Sequence, residues 1–249
     1  MATQNQLKQM ERSLREYRRK YLTNKRNFEV DESATRIMVN NFLTSVLCYQ
    51  ELVDIKTEYN IRGEYADYVI QLARKKHIVI EVKSIQIDLN DRHLRQSFSY
   101  AANEGIDWIL LFNGKQIGLY RVVFGKPITH HNVFIYDLSD LSVLKKAAND
   151  IVYLTKKSVL KGELETYWKR FEAITPVSVA KTLFTEEVIR AIRLKIKKNS
   201  GITFTQDEVL DAVNELIIHE CDGVIRPRSL TKSGANIQSV KKQESRTVC

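Results

Sequence analysis

Two acidic residues, Asp67 and Glu81, each lie in an apolar run, and Lys83 follows the second acid by two positions. The runs, Tyr65–Leu72 and His77–Val82, are rich in tyrosine, valine and isoleucine, and the charged tetrad between them is short enough for a hairpin loop. If the strands pair so that Asp67 lies opposite Glu81, both carboxylates share one face of the sheet, and Lys83 points the same way.

A carboxylate pair beside an ammonium group can do phosphoryl chemistry. Two carboxylates this close repel each other unless a cation lies between them, and hard oxygen ligands favour Mg²⁺ or Mn²⁺. A lysine beside such an ion can orient or activate a water molecule, or stabilise charge that develops on a phosphoryl group. The spacing is therefore compatible with a metal-dependent hydrolytic site.

The acid-x-lysine tripeptide by itself is a weak signal. Charged residues make up 28% of the chain, and Asp54-Ile55-Lys56, within a strand predicted over residues 51–61, is a second match to the same pattern. A solvent-facing strand residue is the ordinary explanation of such a tripeptide. Placement distinguishes Glu81, since it follows the apolar run His77–Ile80, which predicts a buried strand.

Further residues extend this pattern on both sides of the acidic pair. The segment Asp31–Arg36 begins a predicted helix, and Gln96–Tyr100 lies on a helix that follows the acid-x-lysine motif. Together with Asp67 and the Glu81-Val82-Lys83 tripeptide, these segments resemble the PD-(D/E)XK nuclease superfamily. The closer resemblance is to the N-terminal nuclease domain of type I restriction enzyme R subunits, in which a glutamine and a tyrosine four residues later follow the acid-x-lysine motif.

The resemblance covers about residues 31–120 and includes the Asn113-Gly114 turn and the strand after it. It implies an α/β fold: a restriction-endonuclease-like mixed sheet, mainly antiparallel and flanked by helices, followed by a small helical module. One departure is Ala66, because the superfamily's name-giving proline is absent before Asp67.

The resemblance, joined to the spacing, assigns roles to individual residues. Each of three residues also has a structural explanation: Glu32 as a helix-start residue, Gln96 as a hydrogen-bonding residue and Tyr100 as a core residue. The predicted ligands of Mg²⁺ (or Mn²⁺) are Glu32, Asp67, Glu81 and the Val82 backbone carbonyl. The predicted catalytic residues are Asp67, Glu81, Lys83, Gln96 and Tyr100.

Length and composition limit the class of protein. The chain has 249 residues, 43% of them hydrophobic, and can bury a core as one domain or two small ones. No apolar run is long enough to span a bilayer, and residues 1–20 lack the apolar segment of a signal peptide, which predicts a cytoplasmic protein with no membrane partner. The three cysteines are widely spaced, so neither a disulfide framework nor a zinc site is expected.

Positive charge is concentrated at the two ends of the chain. Residues 1–30 hold eight Lys and Arg against three Asp and Glu, and residues 221–249 hold six against two, while residues 31–220 are balanced. Basic ends suit salt-sensitive contact with a phosphate backbone, independent of base sequence. Solubilising tails are an equally weighted explanation.

Four segments are predicted. The first includes a basic helix over residues 5–28, whose apolar stripe could pack on the rest of the chain or on the same stripe of a second copy; packing within the chain is the expectation. The segments are 1–30, the basic N-terminal helix; 31–138, the nuclease-like domain; 139–220, the helical module; and 221–249, a basic disordered tail.

The expected function is a metal-dependent endonuclease that cuts DNA, with RNA left open as the substrate, and the family resemblance suggests restriction or phage defence. The chain has no G-x-x-x-x-G-K-[ST] phosphate loop, so either a separate ATP-driven partner supplies movement or the protein cuts without ATP. A rival function is a catalytically silent nucleic-acid-binding or scaffolding protein on a nuclease-like fold. A third is an oligomerisation subunit built around the N-terminal helix and the helical module, with a homodimer as the expected assembly.

Overall fold

One β-sheet organises the chain. The structure, a computed structural model, describes residues 2–61 and 64–220. In these residues the strands are β1 (Ile55–Ile61), β2 (Glu64–Leu72), β3 (Lys75–Val82), β4 (Trp108–Phe112), β5 (Gln116–Val123) and β6 (Thr129–Asp137). The six strands lie side by side in chain order. All neighbours are antiparallel except β3 and β4, which run parallel.

Helices precede, interrupt and follow the sheet. A π-helical segment, Phe42–Val46, continues α2, and a 3₁₀ turn, Asp91–Leu94, leads into α3. The α-helices of the described residues are α1 (Gln4–Tyr21), α2 (Glu32–Asn41), α3 (Arg95–Glu104), α4 (Leu144–Ile151), α5 (Lys156–Leu160), α6 (Glu163–Ala173), α7 (Pro176–Leu183), α8 (Glu186–Ser200) and α9 (Gln206–Glu220).

Both faces of the sheet are covered. Successive residues of a strand face opposite sides, and in β3 Val79 packs with Tyr100 of α3, while Ile80 belongs to the core that contains Leu14 of α1 and Met38 of α2. The helix α3 lies in the crossover that joins the parallel strands β3 and β4. The predicted α/β class, with a mixed sheet flanked by helices and a helical C-terminal region, is confirmed and is consistent with a nuclease-like fold.

The turn between β2 and β3 is shorter than the sequence predicts. Ala73 and Arg74 have φ angles of 47° and 67°, and β3 begins at Lys75, which pairs with Leu72. A two-residue turn with positive φ at both positions matches the twist of the flanking strands. The predicted four-residue loop over residues 73–76 is therefore wrong, because its last two residues join the strand ladder.

The first strand also begins later than predicted, at Ile55 rather than near residue 51. The Asp54 carboxylate accepts a hydrogen bond from the Gln50 backbone N–H at 2.7 Å, and the Asp54 N–H donates to the Gln50 carbonyl at 2.9 Å. These two bonds close a turn over the intervening residues, which keeps them out of the sheet.

The N-terminal helix packs within the chain. It ends at Tyr21, short of the predicted residue 28, and its buried face is formed by Met10, Leu14 and Tyr17. The Tyr17 hydroxyl donates a hydrogen bond to the Gly114 carbonyl at 2.7 Å, which ties α1 to the turn between β4 and β5. The apolar stripe of this helix is thus part of the main core.

The chain divides into two compact units, Met1–Ala173 and Ile174–Cys249. The first holds the sheet and helices α1 to α6; the described part of the second holds α7 to α9 and buries Ile189 and Val209. The predicted domain boundaries at residues 30, 138 and 220 stay predictions, and the basic tail over 221–249 lies outside the described residues. No helix in the described ranges is long and apolar enough to cross a membrane.

Candidate active site

Strand pairing brings Asp67 and Glu81 together. Tyr68 of β2 pairs with Ile80 of β3, so one further step along the antiparallel register places Asp67 opposite Glu81. The Asp67 Oδ2 atom accepts a hydrogen bond from the Val82 backbone N–H at 2.7 Å. This bond holds the Asp67 carboxylate at the carboxyl end of β3.

Glu81 is a buried carboxylate with a cation beside it. The residue is 4% exposed, and its Oε1 atom lies 2.5 Å from the Lys83 ammonium nitrogen. Burial raises the pKa of Glu81; Lys83 opposes this rise, and the negative charges of Asp67 and Glu32 add to it. The three carboxylates therefore lie near enough to repel one another, and the ionised form of Glu81 depends on positive charge nearby.

Arg36 of α2 supplies positive charge to the other acid. Its guanidinium lies 2.5 Å from Asp67 Oδ1 and 3.5 Å from Glu32 Oε1. Asp67 thus uses one oxygen for Arg36 and the other for the Val82 N–H. Each of the two central carboxylates is paired with a basic side chain of the same chain.

The start of α2 is fixed beside the end of β3 by local hydrogen bonds. The buried Thr35 hydroxyl accepts from the Ile85 backbone N–H at 3.1 Å, and the Ser84 hydroxyl donates to the Val30 carbonyl at 3.2 Å. Asp31 caps the helix by accepting from the Ala34 N–H at 2.8 Å. These contacts explain why Glu32, in the first turn of α2, lies close to residues that follow it by about fifty positions.

An open cleft of about 480 Å³ lies over Glu81 and Lys83. One wall is the end of β3, and the other is the 3₁₀ turn and the first part of α3. Gln96 lines this cleft. The lining residues are Glu81, Lys83, Arg92, His93, Arg95, Gln96 and Ser99.

Tyr100 lies elsewhere. It is 1% exposed, and its hydroxyl accepts a hydrogen bond of 3.4 Å from Lys76, near the opposite end of β3 from Lys83. Lys76 also pairs with Glu104 at 2.5 Å. The structure therefore brings together Glu32, Asp67, Glu81, Val82, Lys83 and Gln96 around one strand end, and it places Tyr100 in the core beneath α3. The predicted catalytic and ligand roles of these residues stay predictions.

The oxygen atoms at this strand end suit a hard divalent cation in type. Mg²⁺ is commonly held by one or two carboxylates with water and substrate oxygens, and Asp67 and Glu81 supply two carboxylates across a strand pair. Among the described residues, no three His, Cys, Asp or Glu side chains form a group that could hold a metal ion. The acidic pair thus fits the donor chemistry of Mg²⁺ without a third carboxylate in place.

Sequence reasoning missed the basic side chains that surround the acids. Arg36 follows Glu32 by four positions, a spacing that places both on one helix face. The residues of the second cleft wall recur at spacings of three and four, which would have indicated one shared face as well. Neither spacing reveals which acid Arg36 pairs with, or which ligand the residues of the second cleft wall would contact. The missed residues are Arg36, Arg92, His93, Arg95 and Ser99.

Comparison with known proteins agrees with the resemblance seen in the sequence. Residues 31–133 match the family model of the type I restriction enzyme R protein N terminus. The matched segment runs from the cap of α2 into β6, so it includes every residue of the candidate site and confirms the predicted resemblance. The match indicates a restriction-related role. Searches of curated proteins and of solved structures gave no match.

Proposed function

We propose that this protein is a cytoplasmic, Mg²⁺-dependent (or Mn²⁺-dependent) endonuclease that hydrolyses DNA phosphodiester bonds in restriction or phage defence. The observation that carries the proposal is the placement of Asp67 opposite Glu81, with Lys83 beside them, at a strand end that faces an open cleft. The family match over the same residues supports it.

In this proposal Asp67, Glu81 and the Val82 carbonyl would hold the metal. Glu32, which does not group with the two acids in the described structure, would have to move closer to become a further ligand. A bound Mg²⁺ would polarise a phosphoryl oxygen and lower the pKa of a coordinated water. The buried Glu81 is well suited to such an ion, because burial and the neighbouring acids penalise its negative charge and a divalent cation would offset that penalty.

Lys83 keeps its ammonium group at the cleft through its ion pair with Glu81. Phosphodiester hydrolysis forms a bond from phosphorus to a water oxygen and breaks the bond to the leaving sugar oxygen, and negative charge grows on the phosphoryl oxygens during this exchange. An ammonium held 2.5 Å from a buried carboxylate is already oriented to donate hydrogen bonds to those oxygens. Gln96 lines the same cleft, and in this proposal it would position substrate there.

The role of Tyr100 follows from its burial. Since its hydroxyl meets Lys76 rather than the cleft, we infer that Tyr100 supports the site by packing α3 on β3. Its contribution is then to the position of Gln96 one helical turn earlier.

The restriction-related family implies interaction with DNA, and the other partners belong to this proposal. A separate ATP-driven partner would move DNA past the site, or the protein would act as a stand-alone nuclease. A homodimer is a weaker candidate, because the N-terminal stripe that could join two copies is packed inside the first unit.

The alternative is a nucleic-acid-binding or scaffolding protein that does not cut. One observation favours it: Arg36 and Lys83 already neutralise Asp67 and Glu81. In a protein without a metal, such pairs would stabilise the strand end with no catalytic use.

Plasmid nicking and linearisation in Mg²⁺ or Mn²⁺ separates the two functions. The intact protein is compared with Asp67→Ala, Lys83→Ala and the matched control Lys56→Ala, which removes the lysine of the other acid-x-lysine tripeptide. We expect metal-dependent cutting that falls by on the order of 10²-fold or more in the two site variants, since each removes a group positioned for the transition state. Lys56→Ala should cut like the intact protein, because the Lys56 ammonium donates to the Leu52 carbonyl and does not line the cleft.

Equal cutting by all four proteins would place the activity elsewhere or in a contaminant. If none cuts and all bind DNA in a salt-sensitive way, the binding-only function replaces the nuclease.

A further inference from the structure

The two walls of the cleft differ in how their charges are used. On the strand wall, Lys83 is paired with Glu81. On the helical wall, Arg92 and Arg95 line the same cleft, and neither forms an ion pair with any residue in the described part of the chain. The cleft therefore contains one neutralised ion pair, Lys83 with Glu81, and two further guanidinium groups that have no carboxylate partner among the described residues.

The acids closest in sequence to these arginines, Asp88 and Asp91, form no ion pair with them. Asp88 lies 3.5 Å from the Lys115 ammonium. Asp91 lies near Tyr120, whose pKa is raised to about 12, first by burial and in part by the charge of Asp91. The positive charge of Arg92 and Arg95 is thus left for a ligand or for solvent.

The third basic residue of this wall, His93, accepts a hydrogen bond that defines the tautomer of its neutral ring. His93 Nδ1 accepts the Asn90 backbone N–H at 3.2 Å, so the neutral ring carries its proton on Nε2. Gln96 and Ser99 lie about one and two helical turns after His93. Every side chain that lines this wall is therefore polar and can donate a hydrogen bond. This chemistry fits an anion with several oxygen acceptors, and planar guanidinium groups bind phosphate particularly well.

We propose that Arg92, Arg95 and His93 bind backbone phosphates of the nucleic acid next to the one that is cut. This inference rests on the proposed function for its geometry, because it places the scissile phosphate at Glu81 and Lys83. The cleft then holds one strand between an acidic wall that takes the metal and a basic wall that takes the neighbouring phosphates. Solvated arginines at a helix start are the competing explanation, and they predict no effect on binding.

The test measures binding without cutting. Fluorescence anisotropy of a short fluorescein-labelled DNA duplex is recorded in EDTA over a series of NaCl concentrations. The proteins are the intact chain, Arg92→Ala/Arg95→Ala, Arg92→Lys/Arg95→Lys, and the control Arg190→Ala/Arg193→Ala, which removes two arginines at the same spacing from α8. Thermal melting checks that each variant is folded.

We expect Arg92→Ala/Arg95→Ala to weaken binding on the order of tenfold. The slope of log K against log salt should become shallower by about two, one for each lost phosphate contact. The lysine pair should restore most of the slope, since the charge is kept, and the α8 control should match the intact protein. Unchanged affinity and slope in the folded alanine pair would overturn the proposal, as would an equal loss in the α8 control.

Inorganic phosphate serves as the competitor that separates a backbone site from a site for free phosphate. At matched ionic strength, phosphate should displace the duplex only weakly, because a free ion lacks the linked contacts that a strand makes along the wall. Saturable binding of inorganic phosphate in the micromolar range, lost in the alanine pair, would overturn the backbone assignment.

The binding result stands apart from the nuclease result. If the intact protein cuts plasmid but the alanine pair binds as tightly as the intact protein, this inference fails and the nuclease stands. If no protein cuts and the alanine pair loses binding as described, the phosphate wall stands and the nuclease fails.

Discussion

The chain contains the acid-x-lysine tripeptide twice, and the two copies are equally buried but differently connected. Asp54 and Glu81 are each 4% exposed. Asp54 pairs with Lys156 of α5 at 2.7 Å and accepts the Gln50 N–H, while the lysine of its own tripeptide turns away to a carbonyl. Glu81 pairs with Lys83 of its own tripeptide and faces an open cleft.

The difference shows that surroundings, not the tripeptide, distinguish a structural acid from a candidate catalytic one. Asp54 links the turn before β1 to α5, and the Lys156 backbone N–H donates to the Leu47 carbonyl at 2.9 Å in the same region. Its charge is used by the fold. Glu81 instead lies opposite a second carboxylate, an arrangement that penalises folding unless cations are near.

The largest expected effect on stability comes from removing the distant lysine. Lys156→Met leaves Asp54 buried without its cation and should lower the free energy of unfolding by about 3 kcal/mol. Lys83→Met should cost less than half of this, because Glu81 lines the cleft and its raised pKa eases protonation. Urea unfolding followed by tryptophan fluorescence measures both, since the two tryptophans, Trp108 and Trp168, lie in the first compact unit.

Equal losses in Lys156→Met and Lys83→Met would break the comparison. The two acids would then be structural to the same degree.

A smaller effect should appear in the pH dependence of stability. Because the pKa of Glu81 is raised in the folded state, the folded protein binds this proton more tightly than the unfolded chain does. The free energy of unfolding therefore falls as pH rises from the ordinary glutamate pKa through the raised one, by about 1.4 kcal/mol for each unit of the rise. Glu81→Gln has no such proton. The free energy of unfolding of the intact protein, minus that of this variant, should therefore decrease as pH rises in metal-free buffer.

Above the raised pKa, the plots of the free energy of unfolding against pH should run parallel for the two proteins. In that range the stability of the variant relative to the intact protein should be at its highest. A difference between the curves that stays constant throughout the acidic range would contradict the assigned environment of Glu81. Unfolding titrations at a series of pH values supply the comparison.

Much of the arrangement around Glu81 could be predicted from sequence because it is local. Two apolar runs with a short charged link predict a hairpin. The register that places Asp67 opposite Glu81, however, depends on an irregularity in the pairing between Ile70 and Gln71, which the residue types do not reveal. The helix start at Asp31 was likewise visible in residue types. The Asn113-Gly114 pair predicted a two-residue turn, but the connection from β4 to β5 spans residues 113–115 and only Gly114 of the pair has a positive φ.

What sequence could not supply is the identity of partners across the fold. The pairing of Arg36 with Asp67 joins residues 31 positions apart, and that of Asp54 with Lys156 depends on where α5 lies. Nothing local distinguishes these pairs from solvated charges.

Helical periodicity also does not show how deeply each side chain is buried. Gln96 and Tyr100 share a face, as their spacing predicts, yet four residues advance a helix by about 6 Å. That advance is enough to carry one side chain to the cleft and the other into the core next to Lys76. Two residues on one helix face therefore lie in different environments, Gln96 in the cleft and Tyr100 in the core.

Binding of Mn²⁺ tests most directly whether Glu81, and not Asp54, belongs to a metal site. Free Mn²⁺ is followed by electron paramagnetic resonance as it is titrated into the intact protein, Glu81→Gln and Asp54→Asn, under conditions in which tryptophan fluorescence shows all three folded. We predict that the intact protein and Asp54→Asn bind the ion alike and that Glu81→Gln binds it at least about tenfold more weakly. Unaltered Mn²⁺ binding in Glu81→Gln, or an equal loss in Asp54→Asn, would contradict the account.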